Sequence, residues 1–338
     1  MLLRQIMIPV VYVSLFTGTL DATEKKIVLI EQSKQITQSE IRKSAGAESE
    51  KNADGGYNAN PSVVDSFAAM EYRYYTGGRY ENEPIKFRLL TPETTEPGKK
   101  YPLVIWFHGV GESGEDNTRQ LSHVQSTIEY LTGKDKIDFY LLATQCPGDN
   151  RNWGTTVSNE GKGDAPITIA EEILDAIIEE YPVDTNRLGV FGLCSGGSAA
   201  WDFVDKHPGR FSSMVACTAG PGSVKTDSFR KTAVWVFSNK DDPAPWEQIQ
   251  RMVDAINASG GNALTSIEET GGHDSWGRAL FKEKVVGWMV SQSLDKPSPP
   301  PGMICYHRTS KQLFSLFGLP CLLIAGMLIG RRFLRRTA

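Results

Sequence analysis

Cysteine is scarce in this sequence: five in 338 residues, at positions 146, 194, 217, 305 and 321. The number is odd and Cys321 falls inside a long apolar run, so no disulfide framework is expected. Basic patches interleaved with aromatics are also missing. The formal charge is −4, and because Arg331, Arg332, Arg335 and Arg336 close the sequence, the remainder is more acidic still. Nucleic acid is therefore not expected as a partner. No internal repeat is visible. What is present is globular in composition, 40% hydrophobic and 22% charged with 32 Gly and 18 Pro. The length suits one α/β domain of roughly 200–250 residues plus tails.

Both ends carry apolar runs. Residues 1–22 read MLLRQIMIPVVYVSLFTGTLDA, one Arg, an apolar stretch and then small and polar residues, the shape of a secretory signal peptide. An uncleaved N-terminal anchor is the alternative. Residues 313–330, LFSLFGLPCLLIAGMLIG, are uncharged over 18 positions and run directly into the basic tail 331–338. That is just short of the ~20 residues that span a bilayer, and the arginines would stay cytoplasmic. The expectation is an exported protein anchored to the cell membrane by a C-terminal transmembrane helix, with everything before it outside the cytoplasm. A buried C-terminal helix or a removable sorting tail are the other readings; a Pro-Glu-Pro lead-in to such a tail is absent.

Between the ends, 23–61 is polar and poorly periodic and is read as a spacer. Residues 297–312 begin PSPPPG, a stiff linker. The span 62–296 alternates strand-like and helix-like segments. Residues 71–76 and 85–92 suggest an antiparallel pair. YPLVIWFHG (101–109) is almost continuously apolar, as a strand covered on both faces would be. Further strands are expected around 138–146, 187–194, 211–220, 232–239 and 263–270. Helices fall between them, for instance with Ile169, Ile173 and Ile177 at i, i+4, i+8. This alternation predicts an α/β fold with a mostly parallel sheet covered by helices on both faces.

The stretch LGVFGLCSGGSAA (188–200) carries the chemistry. A sharp strand-to-helix turn needs small residues two before and two after its apex. Counting from Cys194 gives Gly192 and Gly196, whereas counting from Ser195 gives Leu193 and Gly197. Cys194 is therefore the expected nucleophile, with Ser195 the alternative. The backbone N–H of Ser195 then becomes an oxyanion donor. KDDP, after a strand, supplies Asp242 or, as the alternative acid, Asp241. GGHDSW, after the next strand, supplies His273. In HGVGESGEDN (108–117) the G-x-G-x-x-G spacing lacks the apolar helix of a dinucleotide site, and His108 and Glu112 have no third ligand, so neither a cofactor nor a metal is expected. The loop is read instead as the source of the second oxyanion donor, Val110 or Gly111. Trp153 and Trp276 are read as walls of the substrate pocket.

YPLVIWFHGVGESGEDN, ATQCP (143–147), YPVDTNRLGVFGLCSGGSAAWDFVDKHPGRF (181–211) and GGHDSW together resemble the α/β-hydrolase superfamily, in the branch of extracellular carboxylesterases, polyhydroxybutyrate-depolymerase-like esterases and predicted peptidases. The resemblance covers about 67–293. It implies nucleophile, acid and base in that chain order, and it favours Asp242, three residues after Asn239, where related enzymes carry Gly-x-x-Asp. The branch usually has Ser where Cys194 stands. GLCSGG is similar to the elbow of dienelactone hydrolases, whose nucleophile is a cysteine. The implied activity is hydrolysis of small-molecule or polymer-derived carboxylic esters, or lactones, through a Cys-His-Asp triad. A peptidase of the same fold and a catalytically inactive, membrane-tethered binding protein are the alternatives.

Overall fold

The computed structural model describes residues 26–34, 58–73, 80, 83–132, 136–147, 153–154 and 166–296. The leader 1–22, the linker 297–312, the apolar run 313–330 and the basic tail 331–338 lie outside the described residues. Among the described residues no helix is long and apolar enough to cross a membrane.

The described strands are β1 (Ile27–Glu31), β2 (Ala68–Tyr72), β3 (Ile85–Leu90), β4 (Tyr101–Phe107), β5 (Tyr140–Thr144), β6 (Val183–Leu193), β7 (Ser213–Cys217), β8 (Ala233–Asn239) and β9 (Asn262–Glu268). They make one sheet in the order β1-β2-β3-β5-β4-β6-β7-β8-β9. From β5 across to β9 every neighbouring pair is parallel, and β1, β2 and β3 form an antiparallel flank joined to β5. The expected antiparallel pair is present as β2 and β3, with β2 starting earlier than the sequence suggested. One expectation needs correction. Ile27–Glu31, inside the stretch read as a polar spacer, is a strand, because it pairs with β2 and inserts Ile27 into the core.

Every residue of β4 and of β8 is buried, which explains the apolar sequence of β4 and the apolar run 233–237 of β8. Helices α1 (Pro61–Asp65), α2 (Gln125–Thr132), α3 (Pro166–Glu180), α4 (Ser195–Lys206), α5 (Trp246–Ala258) and α6 (Val285–Ser291) cover the sheet. One core layer holds the isoleucine stripe of α3 with Trp201 and Phe203 of α4 and Ile249, Val253 and Ile256 of α5. The other holds Val63 of α1, Ile128 of α2 and Val285 and Met289 of α6. Burying Ile169, Ile173 and Ile177 stabilises the molecule by about 2 kcal/mol each. Sheets of this kind place their sites at the carboxyl ends of the parallel strands.

Candidate active site

Strand β6 enters α4 through one residue, Cys194, with φ 52° and ψ −122°. A positive φ costs a residue with a Cβ about 1–3 kcal/mol, a strain that clusters at functional sites. The turn is possible only because its flanks are glycine. A Cβ on Gly192 would stand 2.0 Å from Gly196 O, and one on Gly196 would stand 2.1 Å from Phe107 O at the end of β4. Cys194 is thus the apex and Ser195 the first residue of α4. The Ser195 hydroxyl makes no hydrogen bond among the described residues.

Two backbone amides, those of Ser195 and Val110, are directed at the Cys194 sulfur. Val110 opens a 3₁₀ turn, Val110–Glu112, at the carboxyl end of β4. That turn hangs from His108, which is 1% exposed. Its Nε2 accepts from Cys146 N at 2.8 Å, and its Nδ1 donates to Gly109 O at 2.6 Å. Burial pushes the His108 pKa down, so the ring is neutral and committed to backbone. Gly111, the other candidate donor, lines the cleft instead.

Asp242 and His273 follow β8 and β9. Asp242 Oδ2 accepts from His273 Nδ1 at 2.5 Å, and its Oδ1 accepts from Ala244 N at 2.6 Å. The Asp242 side chain is fully buried, while that of His273 is half exposed. Asp241, the alternative acid, does not reach the ring. Its two oxygens accept from Gly271 N at 3.1 Å and Gly272 N at 2.9 Å, and Asn239 Nδ2 donates to Gly272 O at 3.0 Å. The adjacent carboxylates divide the work, one holding the imidazole and the other the loop that bears it.

His273 also hydrogen-bonds Cys194, and this contact, opposed by burial and aided by Asp242, raises the imidazole pKa to about 9. Burial by itself pushes the Cys194 thiol up. The hydrogen bond and charge of His273, with the Ser195 and Val110 amides, outweigh it and hold the thiol below its ordinary value. The other described cysteines are different: burial raises the pKa of Cys146 to about 12 and that of Cys217 higher still. Among the described cysteines, Cys194 alone has its thiol pKa lowered, the condition for a reactive thiolate.

A cleft of about 350 Å³ opens over Cys194 between the 109–112 turn and the loop carrying Gly271, His273, Asp274 and Trp276. Trp276 lines this cleft, with its ring edge-to-face on His273 at 5.7 Å. Trp153 does not. It is 1% exposed, its Nε1 donates to His108 O at 2.9 Å, and its ring packs on Phe107 at 4.8 Å. It braces the strand end beneath the oxyanion turn, because its indole N–H finds a carbonyl there. Glu112, weighed in the sequence only as a metal ligand, lines this cleft, and His123, which the sequence did not single out, lies 3.4 Å from it. Among the described residues no cluster of His, Cys, Asp and Glu is arranged to hold a metal ion.

No curated protein sequence matches the chain. Among solved structures it is similar to a thermostable esterase, at 25% identity and a TM-score of 0.60, over 68% of this chain and 64% of that one. It therefore spans less than two thirds of that esterase. The fold is shared with a ferulic acid esterase (16% identity, TM-score 0.52, 67% of this chain and 97% of the other). It is shared too with the acylaminoacyl peptidase of Pyrococcus horikoshii (14% identity, TM-score 0.50, 69% and 43%). These likenesses and the sheet make the fold that of an α/β-hydrolase. Residues 79–278, from the approach to β3 through the loop that carries His273, match the protein family described as "Putative esterase", and the chain belongs to that family.

Proposed function

We propose that the protein hydrolyses carboxylic esters or lactones by acyl transfer through Cys194, His273 and Asp242. What supports this most is the convergence of three groups on one sulfur, His273 and the amides of Ser195 and Val110 at Cys194, with Asp242 fixing the ring from behind. His273 takes the thiol proton and the thiolate attacks the carbonyl carbon, forming a C–S bond and an oxyanion. The two amides stabilise that oxyanion, at about 3–4 kcal/mol for each well-placed donor. As the intermediate collapses the C–O bond breaks, and the alkoxide takes the proton from His273. Water, giving its proton to His273, then attacks the thioester, and the C–S bond breaks to release the acid and restore the thiolate.

The substrate class proposed is a small-molecule or polymer-derived ester, with the dienelactone-hydrolase-like frame around Cys194 favouring activated esters or lactones. Export and anchoring of the domain outside the cytoplasm remain part of the proposal, resting on residues 1–22 and 313–338 of the sequence. The test is turnover of short-chain nitrophenyl esters. Wild type and Ser195→Ala are expected to turn over and to show a burst of acyl-enzyme, and Cys194→Ala to be inactive. Activity that survives Cys194→Ala and is lost in Ser195→Ala would transfer the nucleophile to Ser195.

A further inference from the structure

Glu112 is 3% exposed and has no part in the reaction as written. Its Oε1 lies 3.4 Å from His123 Nε2, and the Gly109 amide is turned toward the carboxylate. Oε2 accepts no hydrogen bond of good geometry among the described residues. The point that a Cβ on Gly109 would occupy is 3.0 Å from Oε2 and 3.3 Å from Cys194 Cβ, so the carboxylate sits beneath the nucleophile. Burial would push this carboxyl up, but the adjacent His123 ring and the Gly109 amide hold it below its usual value. An anion buried there opposes an oxyanion forming a few ångströms away. It is tolerated only if it is paired and hydrogen-bonded.

The surrounding contacts show what it holds. Glu112 N donates to Gly109 O at 3.3 Å, and Gln145 Nε2 donates to Glu112 O at 3.1 Å, so the residue closes the turn whose next amide belongs to Val110. His123 packs on Trp276 at 5.5 Å, and Trp276 meets His273 at 5.7 Å. The pair therefore joins the oxyanion turn to the loop bearing the catalytic base, two segments that lie more than 150 residues apart in sequence.

We propose that Glu112 and His123 are positioning residues: together they aim the Val110 amide at the reacting carbonyl oxygen and keep that turn in register with the His273 loop. This rests on the ester-hydrolysis reading. Alkylation of Cys194 by iodoacetamide needs the thiolate but no oxyanion donor, whereas ester turnover needs both.

In Glu112→Gln, kcat on nitrophenyl acetate is expected to fall about 10–100-fold with KM nearly unchanged, a fraction of the loss on deleting an oxyanion donor outright. The Cys194 alkylation rate is expected to stay within about twofold of wild type, since His273 still sets the thiolate. His123→Phe, which keeps a ring against Trp276, is expected to show the same split. The double variant is expected to be no worse than the poorer single, the signature of residues acting as a pair. An unchanged kcat, alkylation slowing in step with kcat, or losses that multiply in the double variant would each overturn the assignment. Should Glu112→Gln fail to fold, His123→Phe alone carries the kcat-against-alkylation comparison. Wild type that alkylates at Cys194 yet turns over no ester overturns the hydrolase reading and this assignment with it. Wild-type turnover left intact by Glu112→Gln overturns this assignment alone.

Discussion

The thiol of Cys194 and the imidazole of His273 shift in opposite directions because each stabilises the charged form of the other. Between the two pKa values the resting site is a thiolate beside an imidazolium. On the proposed mechanism, the Cys194 thiolate is protonated as pH falls through the lowered thiol value, and the imidazolium that would protonate the leaving alkoxide is lost as pH rises through about 9. A plot of kcat/KM against pH should therefore be a bell with its alkaline limb near 9, and its two limbs belong to the pair rather than to either residue. Iodoacetamide alkylation should keep its rate above the alkaline limb. Adjacent carboxylates give a second expectation. Asp242→Asn removes the acceptor that orients the ring and should lower kcat/KM by about 10²–10⁴-fold. Asp241→Ala frees two amides of the His273 loop without touching the ring and should cost about tenfold or less, with the pH profile unmoved. Kinetics on both variants checks this, and equal losses would refute the division of roles. At this scale the apex was legible because the spacing of Gly192 and Gly196 admits only one frame. The acid was less so: two aspartates after one strand look alike until the ring's position is known. The contact between Glu112 and His123 gave no sequence signal, since it depends on how the 110–112 turn folds back on the approach to α2.

The elbow is where element geometry is least negotiable. A methyl on Gly196 would overlap the carbonyl of Phe107, so α4 or the end of β4 must move, and both carry groups of the site. Gly196→Ala is expected to lower unfolding free energy by about 3 kcal/mol, at the upper end for overpacking, and to abolish turnover. Gly111→Ala is the control. Nothing lies within 4 Å of its Cβ position, so stability should change by no more than about 0.5 kcal/mol. Denaturant unfolding of the two variants separates them. The parallel strands were legible as elements because β4 throughout and β8 up to Phe237, buried on both faces, are continuously apolar. Trp153 was misplaced for a related reason: an aromatic in a loop looks the same whether it lines a cleft or braces a strand end, and only its hydrogen bond to His108 O decides.

Across the whole molecule, the order of strands separates stability from chemistry. Cys194, Asp242, His273 and the oxyanion turn all follow β4, β6, β8 and β9, whereas β1 lies at the far edge, five strands from β6. At about 4.8 Å per strand that is roughly 24 Å from Cys194. The short apolar run 27–30 is strand-like in composition but is passed over within an otherwise polar stretch, and its pairing with β2 gives it its place in the sheet. Its anchor is Ile27, 2% exposed, opposite Tyr72 in the register and packed in the same core layer as Met70 and Phe87. Ile27→Ala should therefore cost about 2–4 kcal/mol, a fall in Tm of roughly 5–15 °C for a domain of this size. Over the same comparison kcat/KM at 25 °C should stay within about threefold of wild type, as expected for a change well beyond the range of direct coupling. Thermal unfolding followed alongside ester turnover reads both quantities. A loss of kcat/KM in parallel with Tm would mean that the antiparallel flank and the catalytic half of the sheet do not behave independently.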